Sequence, residues 1–439
     1  MSNFKSVLLT LPSLTPSLAL EVLPHGLTIH RLFVQADGRT QDIVIGPESP
    51  EDHVTQKYTN TIIGRYANRI PVGTHTLERN GINSELTALP NESPRVSLHG
   101  GPRGFDAVPW TRLTPENPPT LFSSAELSQL LSASSESSSA IFRLVSEDGD
   151  QGYPGRLVVE ALIALIAPGE QERTYRKPGD ITDNAEYDLG SVLLVYRAKL
   201  DRETNTVTPV NLTQHWGFNL EASPKDTLET LSVKNHTLTI KADRVAKLDL
   251  DCLGTGSFLS VSDAPAHAHS SKKIGDLFPG GNGYDDYYAF EDSANSTIPT
   301  RVPLSKFNAE FDLLKDLVRP SNNKDSGGRG SRAAPVVELS SERSGIKLVF
   351  DTNQHGVMFY ANGLASPTKG ARKKIHGGSG VRDKGDAYGP GTAAFLEFHD
   401  PLSAFLDSKN KNGEDTLVTS DELYHNYVRC DVRFKEPRR

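Results

Sequence analysis

The sequence predicts an all-β protein built from antiparallel strands, and three observations lead to this fold class. Helical periodicity is scarce along the 439 residues. Most apolar segments are short, rich in β-branched residues and bounded by Gly, Pro, Asn or Asp, which is typical of strands. Helical stretches do not separate these segments, as they would in a fold that alternates strands and helices. The pattern therefore favours an antiparallel sandwich or barrel.

Eight segments carry the strand pattern, and another strand-like stretch begins near Leu18. The eight are residues 27–34, 43–45, 141–145, 157–166, 192–198, 237–240, 346–350 and 357–360. All-β folds often exceed ~200 residues as one unit. A single domain over residues 1–439 is therefore the simplest prediction.

Three stretches look inserted into this domain. Residues 115–140 include nine serines between Ser123 and Ser139. We expect this tract to be a surface excursion, because its low apolar content cannot offset the entropy of ordering it. Residues 168–190 are charged and rich in turn formers, and residues 320–335 are linker-like. A fourth region, 365–391, mixes basic residues with glycines, which is typical of a mobile loop beside a site.

The charge and the hydropathy exclude two classes of partner. The chain carries 47 basic and 55 acidic residues, so its formal charge is 47 − 55 = −8. Scattered basic residues do not form the dense positive footprint that nucleic-acid binding requires. The most apolar stretch, 157–167, contains Glu160 and falls short of the roughly 18 uncharged residues that span a bilayer. We expect neither nucleic acid nor membrane as a partner.

The cysteines indicate a reducing compartment. Cys252 and Cys430 cannot build a disulfide framework, and they lack the spacing of zinc ligands. Lys5 precedes a short apolar run, as in a signal peptide, but Pro12 and Pro16 interrupt that run and no small-residue cleavage site follows. A cytoplasmic location is the prediction, with secretion as the alternative.

Two polar clusters lie in the first quarter of the chain. Residues 61–70 place Arg65, Asn68 and Arg69 in an otherwise apolar, strand-like segment. Their donors suit the hydroxyls of a polar ligand, although an arginine there could equally pair with a surface carboxylate. In 98–106, His99 is followed by two glycines, which would hold an imidazole at a loop tip and let backbone approach a ligand. A turn histidine without function is the alternative.

Two further clusters follow. His215 and Trp216 lie among strand-forming residues, where a ring beside a polar group suits the face of a sugar and histidine can exchange protons near neutral pH. Glu397 interrupts the apolar strand 394–398, and a buried carboxylate is costly unless it is paired or used. Asp285 lies in the polar segment 283–288.

Metal and cofactor chemistry find little support. His267 and His269 alternate along the chain, but Asp, Glu or Cys residues do not complete a recognisable metal-ligand pattern with them. The phosphate-binding loop, the dinucleotide fingerprint and the nucleophile elbow are all missing from the sequence. We therefore expect no cofactor and no metal.

Taken together and in this order, the clusters resemble the aldose 1-epimerase (galactose mutarotase) family from Leu18 to about Phe434. Each motif by itself is weak, but six in the family's order are specific. They are 64–70 (GRYANRI), 98–101 (LHGG) with 104–106 (GFD), 152–155 (GYPG), 211–220 (NLTQHWGFNL), 283–285 (GYD) and 396–397 (LE).

The resemblance implies a β-supersandwich fold and an isomerase that interconverts the α and β anomers of free aldoses such as galactose and glucose. It implies that His215 is the general acid and Glu397 the general base. The positions that it assigns to sugar binding are Asn68, Arg69, His99 and Asp285. Ring opening removes a proton from the C1 hydroxyl and delivers one to the ring oxygen, so an imidazolium and a carboxylate must flank the hemiacetal.

Three departures from the family pattern bear on sugar preference. Met358 stands where the family often carries a sugar-binding glutamine, so we expect Met358 to face the sugar. A common Thr-Gln after the glutamate is Phe398-His399 here, and the customary Ser-Tyr after the histidine is Trp216-Gly217. The acid/base pair is retained.

Two other functions stay open. A hexose-6-phosphate epimerase of the same fold would need a basic cluster at the pocket rim to hold the phosphate. The residues that could supply it are Arg103, Arg372, Lys373 and Lys374. A carbohydrate-binding protein without turnover is the second, since fold alone does not fix function. The sequence leaves the oligomeric state open between monomer and dimer.

Overall fold

The computed structural model describes residues 3–133, 135, 137–169, 186–201, 205–223, 231–320, 334–407, 409 and 414–436. In this part of the chain strands dominate, and α1 (Ser124–Ala133) is the one α-helix. No helix here is long and apolar enough to cross a membrane.

The strands follow one another along the whole chain. They are β1 (Val7–Thr10), β2 (Leu18–Leu23), β3 (Thr28–Ala36), β4 (Arg39–Asp42), β5 (Ile62–Ile63), β6 (Arg69–Pro71), β7 (Gly73–Arg79), β8 (Ile82–Ala88), β9 (Val96–Leu98), β10 (Thr111–Arg112), β11 (Ser139–Ser146), β12 (Leu157–Ile166), β13 (Glu186–Leu200), β14 (Val207–Pro209), β15 (Thr213–Gln214), β16 (Trp216–Phe218), β17 (Thr237–Ile240), β18 (Ala242–Leu248), β19 (Gly254–Ser260), β20 (Lys272–Lys273), β21 (Asp285–Phe290), β22 (Arg301–Pro303), β23 (Val337–Ser340), β24 (Ile346–Thr352), β25 (Gly356–Tyr360), β26 (Ala394–Phe398), β27 (Leu417–Thr419) and β28 (Glu422–Lys435).

Two large antiparallel sheets form the framework. The ten-stranded sheet has the order β10-β11-β12-β13-β28-β24-β23-β17-β20, with β22 also paired to β28. The six-stranded sheet has the order β16-β26-β25-β21-β18-β19, and strands β1 to β4 form a separate sheet. Every pairing within the two large sheets is antiparallel. The predicted all-β class is confirmed.

The predicted strands are recovered with one exception. The segment 157–166 coincides with β12, and 237–240 coincides with β17. The prediction of a strand at 43–45 is wrong, because Val44 makes only an isolated bridge to Phe218 after β4 has ended. These three apolar residues are nevertheless buried. Burial and strand pairing are separate properties, and a short apolar run reports only burial.

The long central strands are buried on both faces, which explains their nearly continuous apolar sequences. On one face of β12 and β13, Ile163 and Leu194 pack in the main core with Trp216 of the six-stranded sheet. On the other face, Leu162 and Leu193 belong to a second cluster. The ten-stranded sheet therefore needs cover on its outer side.

Part of the serine-rich tract supplies that cover, which corrects the expectation that it lies wholly on the surface. Phe122 and Leu130, at the start and in the middle of the tract, are buried against the outer face of the sheet. Glu126 of α1 is fully buried and binds Arg197 of β13 through two contacts of 2.6 Å. Phe122, Glu126 and Leu130 thus attach the segment to the sheet although serines dominate its composition.

The other predicted insertions are reached only at their ends. Residues 186–190 begin β13, and residues 170–185 lie outside the described residues, as do residues 321–333. That the chain forms a single domain with insertions at these places stays a prediction.

Candidate active site

Glu397 lies on the face of the six-stranded sheet that points away from the main core. In β26, Leu396 and Phe398 enter that core. Side chains alternate along a strand, so Glu397 points to the opposite face. Strand register sets it opposite Met358, and Met358 opposite Tyr287. One step along the same strands, Asp285, Tyr360 and Phe395 form the next row. Two carboxylates from distant parts of the chain thus share one face.

His215 lies at the turn between β15 and β16, held by its backbone. Its N–H donates to the carbonyl of Thr61, and its carbonyl accepts from the N–H of Asn60. The Asn60 side chain also accepts from the N–H of Gly217. These bonds place His215 Nε2 3.1 Å from Glu397 Oε1. The two residues that the resemblance assigns as acid and base are therefore in direct contact.

Both members of this pair are almost withdrawn from water. Glu397 is 2% exposed and His215 is 8% exposed. Burial raises the pKa of Glu397 well above its usual range; the nearby Asp285 acts in the same direction, and Arg69 acts against both. Burial lowers the pKa of His215 to about 4. Both shifts disfavour the charged forms, so the empty cavity favours a single shared proton on the Glu397 carboxyl over the ion pair.

Each group keeps one polar atom without a protein partner. His215 Nδ1 and Glu397 Oε2 form no hydrogen bond with any described residue. Buried polar atoms are usually satisfied, so each exception calls for an explanation. These are two of eighteen such atoms among the described residues, and it is their occurrence on two side chains in direct contact that marks this pair as a place for chemistry.

His99 and Asn68 hold each other in a strained turn. Their φ angles are +53° and +65°. The N–H of Asn68 donates to His99 Nδ1 at 3.2 Å, and the N–H of His99 donates to the carbonyl of Asn68 at 3.0 Å. Because Nδ1 accepts, the proton of the neutral imidazole is on Nε2. His99 therefore offers a hydrogen-bond donor, with its ring 5.3 Å from that of His215.

The first glycine after His99 permits a close approach of two protein segments. Gly100 has φ +88°, and a Cβ there would lie 2.0 Å from the carbonyl oxygen of Gly64. That the two glycines also let backbone approach a ligand stays a prediction.

Arg69 lies between two carboxylates. Its Nε and Nη2 contact the carboxylate of Glu92 at 2.8 and 2.9 Å. Its Nη2 also lies 3.8 Å from Asp285 Oδ2. Burial raises the pKa of Asp285 more than Arg69 lowers it. The paired guanidinium and carboxylates give the site fixed donors and acceptors at one end.

All six predicted residues line one cavity of about 440 Å³. Sequence reasoning missed several other wall residues, which are Tyr58, Glu92, Tyr360, Asn362, Tyr388 and Phe395. One of them carried a detectable signal. Phe395 precedes Glu397 by two residues in one strand, so alternation alone predicts that both point the same way.

Met358 does not line this cavity. Its side chain is 1% exposed and packs with Tyr287 and Ala289 beneath the site. The expectation that it faces the sugar is therefore wrong. Its strand register does place it directly opposite Glu397, as expected of a residue in the site.

The basic cluster considered for a phosphate does not surround the cavity either. Lys373 is fully buried and binds Asp42 at 2.7 Å. Arg372 is buried and donates to the carbonyl of Gly377. Neither they nor Arg103 and Lys374 are among the lining residues, which include the exposed Lys57 and Lys369 instead. The region 365–391 does lie beside the site, as predicted.

Two histidine sets bear on metal binding. His267 and His269 both contact the hydroxyl of Tyr288. Among the described residues, His99, His215 and Glu397 are the one group of three metal-ligating residue types with ligand atoms within 4.8 Å of one another. Because His99 Nδ1 accepts from the N–H of Asn68, Nε2 carries the ring proton and offers no lone pair to a metal ion. The group therefore suits proton transfer better than metal coordination.

Known proteins share this chain's sequence pattern and its fold. The family model described as aldose 1-epimerase matches residues 14–176 and 165–382. Galactose mutarotase of Bos taurus is 30% identical over 291 residues, which are 65% of this chain and 68% of that protein. A probable aldose 1-epimerase of Arthroderma benhamiae is 26% identical over 385 residues, covering 84% and 73%.

A solved structure extends the likeness to the whole fold. The crystal structure of an aldose epimerase homologue from C. elegans superposes with a TM-score of 0.64 at 17% identity, covering 98% of this chain and 100% of the other. Family sequence match, two facing antiparallel sheets and the convergence of six motif residues on one cavity agree with one another. The chain belongs to the aldose 1-epimerase family.

Proposed function

We propose that this protein is an aldose 1-epimerase that interconverts the α and β anomers of free aldoses such as galactose and glucose, with Glu397 as base and His215 as acid. The observation that carries the proposal is the 3.1 Å contact between these two side chains on the wall of a sugar-sized cavity. The names of the relatives support the same reaction.

The reaction needs one base and one acid at neighbouring oxygens. Glu397 takes the proton of the C1 hydroxyl while His215, as imidazolium, delivers a proton to the ring oxygen. The bond between C1 and the ring oxygen breaks, and C1 becomes an aldehyde. Rotation about the C1–C2 bond exposes the other face of the carbonyl. The same steps in reverse then close the ring as the other anomer.

The protonation state of the free site suits this sequence. The pair holds one proton, and moving it from Glu397 to His215 creates the carboxylate and the imidazolium without any proton from solvent. Burial disfavours that charged form in the empty cavity. Hydrogen bonds from sugar hydroxyls to the unpartnered atoms of the pair would favour it, so substrate binding prepares the reactive state.

Four further residues hold the sugar in this proposal. His99 donates from Nε2, Asn68 supplies amide donors and acceptors, and Arg69 and Asp285 bind hydroxyls at the far end. Fixing the hemiacetal between acid and base removes the entropy cost of bringing three groups together. The steps use only side chains, so we expect no cofactor and no metal ion.

Polarimetry tests the proposal. Freshly dissolved α-D-galactose and α-D-glucose should reach their equilibrium rotation faster with enzyme than in buffer alone. Glucose 6-phosphate serves as a comparison, since Arg103, Arg372, Lys373 and Lys374 lie away from the cavity while the exposed Lys57 and Lys369 line it. A protein that binds a sugar but accelerates no mutarotation would instead be a binding protein.

We also place the reaction in the cytoplasm. Cys252 and Cys430 are free thiols. Free thiols persist in reducing compartments.

A further inference from the structure

One wall of the cavity comes from a long connection without strands. Between β25 and β26 the chain runs through residues 361–393, and the structure describes all of them. Leu364, Ala365, Ser366, Lys369 and Tyr388 of this connection line the cavity. Backbone bonds hold the two ends of the segment, from the N–H of Ala361 to the carbonyl of Tyr284 and from the N–H of Val233 to that of Gly391. Between these ends no strand pairing fixes the segment, so side-chain contacts hold the wall in place.

A buried lysine attaches the connection to the sheet of strands β1 to β4. Lys373 is 0% exposed, and its ammonium donates to Asp42 Oδ2 at 2.7 Å, to the carbonyl of His30 at 2.7 Å and to that of Val44 at 2.8 Å. All three N–H groups thus have acceptors. Asp42 is also fully buried, and its Oδ1 accepts from the N–H of Leu32. Separating the two partners of such a buried ion pair would leave uncompensated charges in the interior, so the pair holds the connection in one position.

A second link runs from the same aspartate to the cavity wall. His376 Nε2 lies 2.7 Å from the backbone carbonyl of Asp42, so Nε2 must be the donor. His376 Nδ1 is then an acceptor, and it receives the hydroxyl of Tyr388 at 2.6 Å. The Tyr388 hydroxyl therefore points at His376, while its ring lines the cavity. Asp42, His376 and Tyr388 form a continuous chain from sheet to site.

We propose that Lys373, Asp42 and His376 are positioning residues, which hold Tyr388 and the adjoining wall at the distance that sugar binding requires. This inference rests on the proposed function and adds to it a set of residues that touch no substrate. The reacting pair is held separately, by β26 and by the backbone bonds of His215. Loosening the wall should therefore weaken sugar binding more than it slows proton transfer.

The mildest test is Tyr388→Phe, which removes the hydroxyl but keeps the ring in the wall. Lys373→Met is the stronger test, because it leaves Asp42 buried without its partner. We expect Tyr388→Phe to raise KM for galactose about threefold and Lys373→Met to raise it about tenfold or more. In both, kcat should stay within about twofold of wild type, because uniform binding is lost while the acid and base remain in place.

Arg197→Met is the matched control. Arg197 and Glu126 are as fully buried as Lys373 and Asp42, and they lie on the outer side of the ten-stranded sheet. This variant should lose stability in the same way and keep a wild-type KM. Hydrogen exchange gives the second readout, since amides in 361–393 should lose protection in Lys373→Met and keep it in Arg197→Met.

Two results would overturn the inference. One is an unchanged KM in Tyr388→Phe and in folded Lys373→Met. The other is a fall of kcat in proportion to kcat/KM. Asn60 and Lys373 both approach Gly46, because a Cβ on that glycine would lie 3.6 Å from Asn60 Nδ2 and 3.7 Å from Lys373 Cε. The N–H of Asn60 also donates to the carbonyl of His215. A pure kcat effect would mean that Lys373 acts through Asn60 and not through the wall.

Failure to fold does not remove the test. If Lys373→Met is insoluble, Tyr388→Phe and the double variant Lys373→Met/Asp42→Leu, which removes both charges, replace it. If wild type accelerates no mutarotation, the proposed function fails by itself. The affinity for galactose, measured by calorimetry on wild type and Tyr388→Phe, then tests the positioning of the wall separately.

Discussion

Nε2 of His215 and Oε1 of Glu397 lie 3.1 Å apart, at the end of a cavity lined by both residues. They are 182 positions apart in sequence, as 397 − 215 = 182. The backbone bonds of His215 and the pairing of β26 with β16 and β25 bring them together. This contact supports the proposed reaction and the first two predictions.

Glu397→Gln keeps the shape of the side chain but cannot accept the C1 proton. We expect kcat to fall by roughly 10²- to 10⁴-fold, or about 3 to 5 kcal/mol of barrier. His215→Asn should cost a similar amount, and the double variant should be far less than multiplicatively worse, because both groups act in one transition state. Polarimetric kcat measures these effects. Near-wild-type kcat in Glu397→Gln would place the base elsewhere.

The rate should depend on pH in a way that reflects the shared proton. A second proton on the pair abolishes the base, and burial lowers the pKa of His215 to about 4. Activity should therefore persist well below pH 6.5, the ordinary histidine value. On the alkaline side, activity falls when the pair loses its single proton. The profile of kcat/KM in buffers that do not themselves catalyse mutarotation tests this, and an acid limb at 6.5 would contradict it.

Excising residues 115–140 should destabilise the protein instead of leaving it unchanged. The deletion uncovers the outer face of the ten-stranded sheet and leaves Arg197 without Glu126. Breaking a buried ion pair from one side costs about 3 to 5 kcal/mol. Glu126→Gln should show part of this loss in urea denaturation. Ser128→Ala on the exposed side of α1 is the control, and equal stability of the two variants would refute the argument.

Met358→Gln should leave the ratio of kcat/KM for galactose over glucose little changed. Met358 packs with Tyr287 and Ala289 and does not reach the cavity wall. A glutamine amide there needs partners, and an unsatisfied one costs about 1 to 3 kcal/mol of stability. Comparing both sugars in one assay, alongside urea denaturation, checks the prediction. A clear change in the ratio would show that residue 358 reaches the substrate.

Stability should fall as pH drops below 6.5. Burial lowers the pKa of His236 to about 3, so the folded state binds fewer protons than the unfolded state between that value and 6.5. Unfolding free energy then decreases with falling pH by about 1.4 kcal/mol per pH unit for each such group. His236→Gln should reduce the slope by one proton, because glutamine does not titrate. Its amide oxygen can still accept from the N–H of Leu220, so the fold should be kept. An unchanged slope would exclude His236.

Local sequence determined the fold class, most strands and the motif residues of the site. β12 coincides with its predicted range because nine of its ten residues are apolar, Glu160 being the exception, and such a run bounded by turns can fill both faces of a central strand. The side chains of the six motifs suggest their chemistry individually, without knowledge of their neighbours in space. Strand periodicity and residue type are local properties, so the sequence alone shows them.

Tertiary structure alone decided which distant groups meet. Lys373 binds Asp42 across 331 positions, and Glu126 binds Arg197 across 71. Composition indicated a surface tract in one case and a basic, mobile loop in the other, yet both are anchored in the protein interior. The same holds for Met358, whose strand register is right for the site while neighbouring side chains cover it. A buried charge is stable only beside its partner, and that partner is set by the packing of distant segments against the sheets, which no local pattern encodes.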